Sequence, residues 1–316
     1  MPSITQLEYL LAVDRHRHFG KAAEECHVTQ PSLSMQLQKL EEELGIIAFD
    51  RSKKPIMATE QGKLIIDQAK VVINEHKKLS LIALDKDAGL RGEFKIAVIP
   101  TLSPYVIPLF LHSFAKKYPL VELTIEEHQT DEIIELLSRD KIDAGLLVTP
   151  LKSNHIIERV LFYEPFYLYA SSNSAVSKKK TVKESDLDEN EVWLLDEGHC
   201  FRNQVIKFCS IKGKAPTVLK NVRFQSGNLE TLKNMVRTQG GYTFLPYLAT
   251  LGLSTSEKNK MLHPFQSPAP SREVSIVHSR SFLKEGIIEA LQNEIIACLP
   301  ADIKSLKSSK LQVIDI

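Results

Sequence analysis

The chain has 316 residues, 43% of them hydrophobic and 25% charged, with 40 Lys and Arg against 39 Asp and Glu. That length calls for two or three domains, and the balanced charge excludes a bulk electrostatic attraction to nucleic acid or membrane, so any such binding must be local. No basic stretch followed by an apolar run opens the chain and no segment reaches the length of a membrane span, which leads to the expectation of a cytoplasmic protein that does not engage the membrane.

Ile4 to Val13 places Leu7, Leu10 and Leu11 at helical spacing, and Gly20 to Cys26 gives a second short helix with Ala22 and Ala23 inward. After a turn at His27 and Val28, Thr29 is an N-cap with Pro31 in the first turn. Leu33, Leu37, Leu40 and Leu44 supply the buried stripe of a third helix. Thr29 and the outward-facing Gln30, Pro31, Ser32, Ser34, Met35 and Gln36 carry uncharged groups able to bond base edges. Arg51, Lys53 and Lys54 follow in a Pro-terminated loop suited to contact phosphates as a wing. Residues 1–62 hold seven Lys and Arg against nine Asp and Glu, so DNA binding rests on placement and not on net charge.

The blocks Phe19-Gly20-Lys21-Ala22-Ala23, Val28-Thr29-Gln30-Pro31-Ser32-Leu33-Ser34, Leu40-Glu41-Glu42-Glu43-Leu44-Gly45, Phe49-Asp50-Arg51 and Thr59-Glu60-Gln61-Gly62 resemble the winged helix-turn-helix of LysR-type transcriptional regulators. The resemblance implies a DNA-binding domain over residues 1–62 that reads double-stranded promoter DNA as part of a multimer.

Residues 63–88 read as a linker helix. Ile65, Ala69, Val72, His76, Leu79 and Ala83 alternate spacings of four and three, the seam of a two-stranded coiled coil, with a helix lying on its own domain as the alternative. The polar, Gly-containing joint from Asp85 to Gly92 closes it. Beyond lies an α/β pattern expected to form largely parallel sheets. Strands are expected at Phe94 to Ile99, Leu120 to Glu126, Ala144 to Val148, Phe166 to Ala170, Val192 to Leu195, Val218 to Phe224 and Tyr242 to Leu245. Helices are expected near 105–117, 131–139, 201–209 and 227–238.

The LysR resemblance implies a two-lobed, periplasmic-binding-protein-like regulatory domain over residues 89–300, with one lobe at 89–164 and 269–300 and the other at 165–268. Thr101 and Thr130 follow strands at positions that line a crevice in such folds, although without the resemblance a helix cap is the plainer reading of each. Residues 301–316 are expected to form a loose tail.

The four cysteines are Cys26, Cys200, Cys209 and Cys298. They lack metal-ligand spacing, so neither a metal nor a cofactor is expected. Gly198 breaks the chain before Phe201, Val205, Phe208 and Cys209, which recur at helical spacing. Cys200 therefore falls at a helix start, where unpaired N–H groups lower a thiol pKa, and Cys209 on an apolar face, where burial raises it. Nine helical steps at about 1.5 Å each hold their Cα atoms about 13 Å apart, whereas a disulfide tolerates about 7 Å. Two unrelated buried cysteines are the plain alternative.

Within the LysR group, Gly198 to Gln204 with Cys209, Ile99-Pro100-Thr101 with Pro104-Tyr105, Glu126 to Thr130, Leu229 to Val236 and Arg272 resemble the peroxide-sensing members, with Asn203 standing where such members often carry Asp. That resemblance implies a regulator that is not an enzyme, with Cys200 attacking hydrogen peroxide and Cys209 resolving the sulfenic acid to a disulfide. His199, Thr101, Thr130 and Arg272 are the candidates for positioning peroxide and stabilising charge. It further implies a homo-oligomer built as a dimer of dimers, RNA polymerase as a partner and a cellular thiol reductant that resets the switch. The competing readings are a LysR-type regulator of a small metabolite and a thiol peroxidase.

Overall fold

Ser3 opens the first helix with a reciprocal cap: its Oγ accepts from the Gln6 backbone N–H at 3.2 Å, and the Gln6 side chain accepts from the Ser3 N–H at 2.8 Å. The computed structural model describes residues 2–52, 55–82, 89–151, 153, 155–209, 227–279, 284–306, 308 and 311–315. The chain divides into two compact units, one over Met1–Ala88 and the other over Gly89–Arg280 with Lys284–Ile316.

In the first unit, α1 (Ile4–His16), α2 (Phe19–Glu25) and α3 (Gln30–Leu44) are followed by β1 (Phe49–Asp50), β2 (Met57–Ala58) and α4 (Glu60–Ile82). The two strands pair antiparallel as a wing. Leu10, Val13, Ala22, Leu33, Leu37, Leu40 and Phe49 form its core, and α4 contributes Ile66, Ala69 and Ile73 to the same core. The linker seam is therefore corrected in part. Of its members Ala69 is buried within its own unit, Ile65 is half-buried, and Val72 and His76 are exposed. The side chain of Leu79 and all of Ala83 lie outside the described residues. Helical geometry explains the split, because positions 66, 69 and 73 form one stripe and 65, 72 and 76 an adjoining one.

The second unit begins with β3 (Gly92–Val98), α5 (Ser103–Lys117), β4 (Val121–Glu127), α6 (Thr130–Ser138), β5 (Ala144–Thr149) and the long β6 (Ile156–Ala170). Three short 3-10 turns lead to α7 (Cys200–Phe208), α8 (Leu229–Gln239), β7 (Tyr242–Pro246), α9 (Tyr247–Thr250), α10 (Thr255–Met261) and β8 (Leu262–Pro264). The chain returns as β9 (Ala269–Ser279) and ends in α11 (Glu285–Cys298), α12 (Ala301–Lys304) and β10 (Leu311–Val313).

The strands run in the order β4-β3-β5-β9-β6-β7, with β8 on β6 and β10 on β9. The expectation of largely parallel sheets is corrected. β3 is parallel to β4 and β5, but β9 is antiparallel to β5 and β6, and β6 is antiparallel to β7 and β8. A parallel pair requires a crossover, whereas β6 and β9 are two long strands that traverse the unit in opposite senses and need none between them. β6 pairs with β9 as far as Pro165 and then takes β7 and β8 as partners from Phe166 onward.

Val192 to Leu195 does not form a ladder strand. It is extended, with a single parallel bridge from Val192 to Tyr242, and the Trp193 N–H donates to the Tyr242 carbonyl at 2.7 Å. The strand expected at Val218 to Phe224 lies outside the described residues. The expected loose tail instead carries α12 and β10, and Ile314 is buried beyond β10. Its few apolar residues gave too weak a period to mark it as part of a core. Among the described residues no helix is long and apolar enough to cross a membrane.

Candidate functional site

Cys200 is the first residue of α7, with His199 at the N-cap and Gly198 before it at φ +92°. A Cβ on Gly198 would stand 2.2 Å from Gln129 Oε1, so the turn that delivers Cys200 lies against the Gln129 side chain at the start of α6, and its positive φ favours glycine. Helix α7 has only nine residues, too short for intrinsic stability in water. It is held by burial of Phe201, Val205 and Phe208. Phe201 meets Phe166 edge-on at 5.0 Å, and Phe208 meets Phe265 at 5.2 Å and Phe244 at 5.9 Å. Each such aromatic pair adds about 0.5–1.5 kcal/mol beyond area burial, so the packing and not helix propensity keeps α7 wound.

Thr101 in the turn between β3 and α5, Thr130 on α6, Arg272 on β9 and Cys200 on α7 are all buried. Arg272 on β9 organises them. Its Nε donates to Glu164 Oε2 at 2.8 Å, its Nη1 to Thr101 Oγ1 at 3.0 Å and its Nη2 to the Thr101 carbonyl at 3.1 Å. The guanidinium carbon lies 5.5 Å from the centroid of the Phe201 ring, the residue next to Cys200. The second carboxylate oxygen of Glu164 accepts from the Leu248 N–H at 2.7 Å. Every strong hydrogen-bonding atom of this buried ion pair therefore has a use, which a charge taken out of water requires.

Burial pushes the Cys200 thiol pKa up, and the opposing pulls come from the Arg272 charge, the Thr130 hydroxyl and the backbone N–H groups of Phe201 and Cys200. The expected net depression of the Cys200 pKa is thus corrected: desolvation outweighs the helix start and the guanidinium. The Thr130 hydroxyl is buried without a hydrogen-bond partner among the described residues and so is free to donate to the sulfur, whereas the Arg272 nitrogens are taken up by Glu164 and Thr101 and act there through charge alone. Neither threonine acts as the N-cap of its neighbouring helix, since Leu102 caps α5 and Gln129 caps α6.

His199 is placed differently. It is buried, its Nε2 lies 3.0 Å from Asp196 Oδ1, and a Cβ on Gly227 would stand 2.9 Å from the same nitrogen. Its ring is thus fixed between Asp196 and Gly227. Cys209 is the C-cap of α7, half-buried against the aromatic core, with its thiol pKa pushed up to about 12 by burial and then by Glu184. All four cysteines are free thiols. Asn203 is exposed on α7 and takes no part in the pocket.

Glu164, the partner of Arg272, was not among the residues the sequence marked out. The signal was an acidic residue inside an otherwise apolar strand, Phe162 to Ala170, where an unpaired carboxylate is not tolerated. Also unmarked was a chain in which the Tyr105 hydroxyl donates to Glu230 Oε1 at 2.8 Å and the buried Lys233 Nζ meets the same oxygen at 2.6 Å.

In the first unit, Thr29 is the exposed N-cap of α3 and makes no side-chain cap bond. Gln30, Pro31 and Met35 are exposed, and Ser32, Ser34 and Gln36 half-buried. Gln36 is partly committed inward, since its Oε1 accepts from Gln6 Nε2 at 3.3 Å. Arg51 is also engaged, with Nη2 2.8 Å from Glu41 Oε2 and its guanidinium over the Phe19 ring. Lys53 and Lys54 lie outside the described residues. Among those described, no group of three or more His, Cys, Asp and Glu could hold a metal ion.

Two family models match: residues 4–63 correspond to the bacterial regulatory helix-turn-helix protein of the lysR family, and residues 87–300 to the LysR substrate binding domain. The chain is 36% identical over 276 residues to a "Hydrogen peroxide-inducible genes activator" of Haemophilus influenzae, covering 87% of this chain and 90% of that one. It is 34% identical to the "DNA-binding transcriptional dual regulator OxyR" of Escherichia coli K12, with 87% and 89% covered. Among solved structures, a Cys-to-Asp variant of full-length OxyR from Pseudomonas aeruginosa superposes with a TM-score of 0.71 at 31% identity, over 95% of this chain and 99% of that one. Reduced OxyR from Porphyromonas gingivalis gives 0.61 at 28% identity, over 69% and 98%.

Proposed function

This chain belongs to the LysR family of bacterial helix-turn-helix regulators, and on that premise we propose that it is a transcription activator that senses hydrogen peroxide through Cys200. The observation that carries the reading is one buried thiol at a helix start, with the charge of Arg272 and the hydroxyl of Thr130 acting on its sulfur and a second thiol nine residues on. Peroxide is small enough to reach such a sulfur, and burial withholds it from bulkier electrophiles.

The chemistry follows from those groups. The Cys200 sulfur, as thiolate, attacks one peroxide oxygen, the O–O bond breaks, and the departing hydroxide takes up a proton to leave as water. Hydroxide is a poor leaving group, so the positive charge of Arg272 and the hydroxyls of Thr101 and Thr130 serve to stabilise charge as it develops. The Cys209 thiol then attacks the sulfenic sulfur, an S–S bond forms and a second water leaves. With the two Cα atoms about 13 Å apart along a helix, that bond requires α7 to unwind. Phe201, Val205 and Phe208 then lose their sites, and a local oxidation becomes a change of fold.

The rest of the reading concerns the cell. We place the regulator in the cytoplasm, as a homo-oligomer that presents paired α3 helices to double-stranded promoter DNA and engages RNA polymerase when oxidised. A cellular thiol reductant returns it to the dithiol. The test is a thiol count on purified protein after one equivalent of peroxide per chain. Loss of two thiols, mapped by peptide analysis to Cys200 and Cys209, is expected; retention of all four rejects the proposal.

A further inference from the structure

The C-terminal strand is built into the same core as the reactive helix. β10 runs parallel to β9, with Leu311, Gln312 and Val313 opposite Ala269, Pro270 and Ser271, immediately beside Arg272. The Ile314 N–H donates to the Ser271 carbonyl at 2.9 Å, and Ser271 Oγ donates to the Gln312 carbonyl at 3.3 Å. Ile314 is 6% exposed and shares a core with Phe201, Val205 and Phe208 of α7. Across that contact, the fully buried Gln204 of α7 donates its Nε2–H to the Ile314 carbonyl, while its Oε1 has no partner among the described residues. Lys207 and Asp315 approach within 3.5 Å at the surface, a pair too exposed to matter much.

We propose that β10 is a strap belonging to the redox switch, held down only while α7 is helical and released when Cys200 and Cys209 join. This rests on the peroxide-sensing reading above. Two thiols and one hydrogen peroxide give one disulfide and two waters, and the new S–S bond lies across the helical span that contains Gln204. Once that span unwinds, the buried Ile314 carbonyl loses its donor and the Ile314 side chain loses the packing of Phe201 and Val205. What remains is the three-residue pairing with the end of β9 and the two bonds to Ser271, a short attachment with little apolar burial of its own. Conversely, the strap braces the reduced helix, so removing it shifts the equilibrium toward the disulfide.

The experiment uses the full-length chain. Amide hydrogen exchange is followed at residues 311–315 before and after one equivalent of peroxide, with the disulfide verified by thiol counting. The Ile314 amide is expected to exchange at least tenfold faster in the oxidised form. In parallel, a chain ending at Lys310 and the milder Ile314→Ser variant are equilibrated with glutathione buffers. Each is expected to favour the disulfide about tenfold more than the parent, about 30 mV for a two-electron couple. A verified disulfide with unchanged Ile314 protection overturns the strap, as does an unshifted glutathione equilibrium in both variants. Absence of any Cys200–Cys209 disulfide under peroxide overturns the sensing reading and the strap together.

Discussion

Arg272 and Glu164, both fully buried, face each other across β9 and β6, with Nε and Nη2 of the guanidinium each 2.8 Å from one carboxylate oxygen. They meet one residue before Pro165, where β6 gives up β9 for other partners, so the ion pair sits where the two halves of the sheet join. Its remaining bonds reach Thr101 on one side and Leu248 on the other. A charge that acts on the Cys200 sulfur is thereby locked to both halves at once.

Arg272→Lys keeps the charge but loses the planar fork, and a single ammonium cannot serve Glu164 and both Thr101 oxygens together. Peroxide oxidation of Cys200, followed in a stopped-flow instrument, should slow by roughly tenfold or more, about 1.4 kcal/mol of transition-state stabilisation. Glu164→Gln should lower the Cys200 pKa, because the guanidinium is no longer offset, and should destabilise the larger unit by about 3–5 kcal/mol. Alkylation against pH in a Cys209→Ser background reads the first effect and urea unfolding the second. A higher thiol pKa in Glu164→Gln would contradict this account.

Because burial holds the Cys200 pKa above its usual range, the neutral thiol dominates at neutral pH and only the minor thiolate reacts. The rate constant for peroxide oxidation should therefore climb roughly tenfold per pH unit between pH 6.5 and about 8.5. A profile already flat by pH 6.5 would mean that Arg272 and the helix start win over desolvation. Thr130→Val should depress the whole profile, since it removes a donor and leaves the volume unchanged.

Cys209 carries a linkage effect of definite sign. Its folded pKa of about 12 is raised above an unfolded value of about 8.5, so the folded state holds this proton more tightly. The contribution is complete below about pH 8.5 and is lost as pH rises toward 12. Chemical unfolding of the reduced protein at several pH values should show stability declining across that window, and Cys209→Ser should show a shallower decline. Parallel curves for the two proteins would count against a buried Cys209 thiol.

On the proposed DNA-binding face, Arg51 is paired with Glu41 at 2.8 Å, so a phosphate would have to compete with that carboxylate for the guanidinium. Arg51→Ala should weaken all DNA sites alike and reduce the salt slope by about one, whereas Glu41→Gln should strengthen them alike by freeing the arginine. Gln30→Ala should change preference among sites, costing about 1–3 kcal/mol at the site it reads and little elsewhere. Equal losses at every site would remove Gln30 from the base-reading set.

The local elements were legible in the sequence because each is set by short-range chemistry. The leucine stripe of α3 came from spacing, its start from Thr29 and Pro31, and the break before α7 from Gly198. The direction of the central sheet was not legible: β6 and β9 pair across more than a hundred residues, and alternation of apolar residues does not encode whether a distant partner runs with or against a strand. Nor was the place of the last residues, whose apolar content acquires meaning only beside Gln204 and Ser271.

By itself the sequence determined which residue types stand at which helix ends: a thiol at the mouth of α7, another at its close, hydroxyls at the ends of two strands. Tertiary structure alone decided the balance of forces on that first thiol. Desolvation and the field of Arg272 both depend on what surrounds the sulfur in three dimensions, and on Glu164 holding the guanidinium in place. Those terms oppose one another, so the net shift of Cys200 is a difference between two burial-dependent quantities, and burial is a property of the packed chain rather than of any stretch along it.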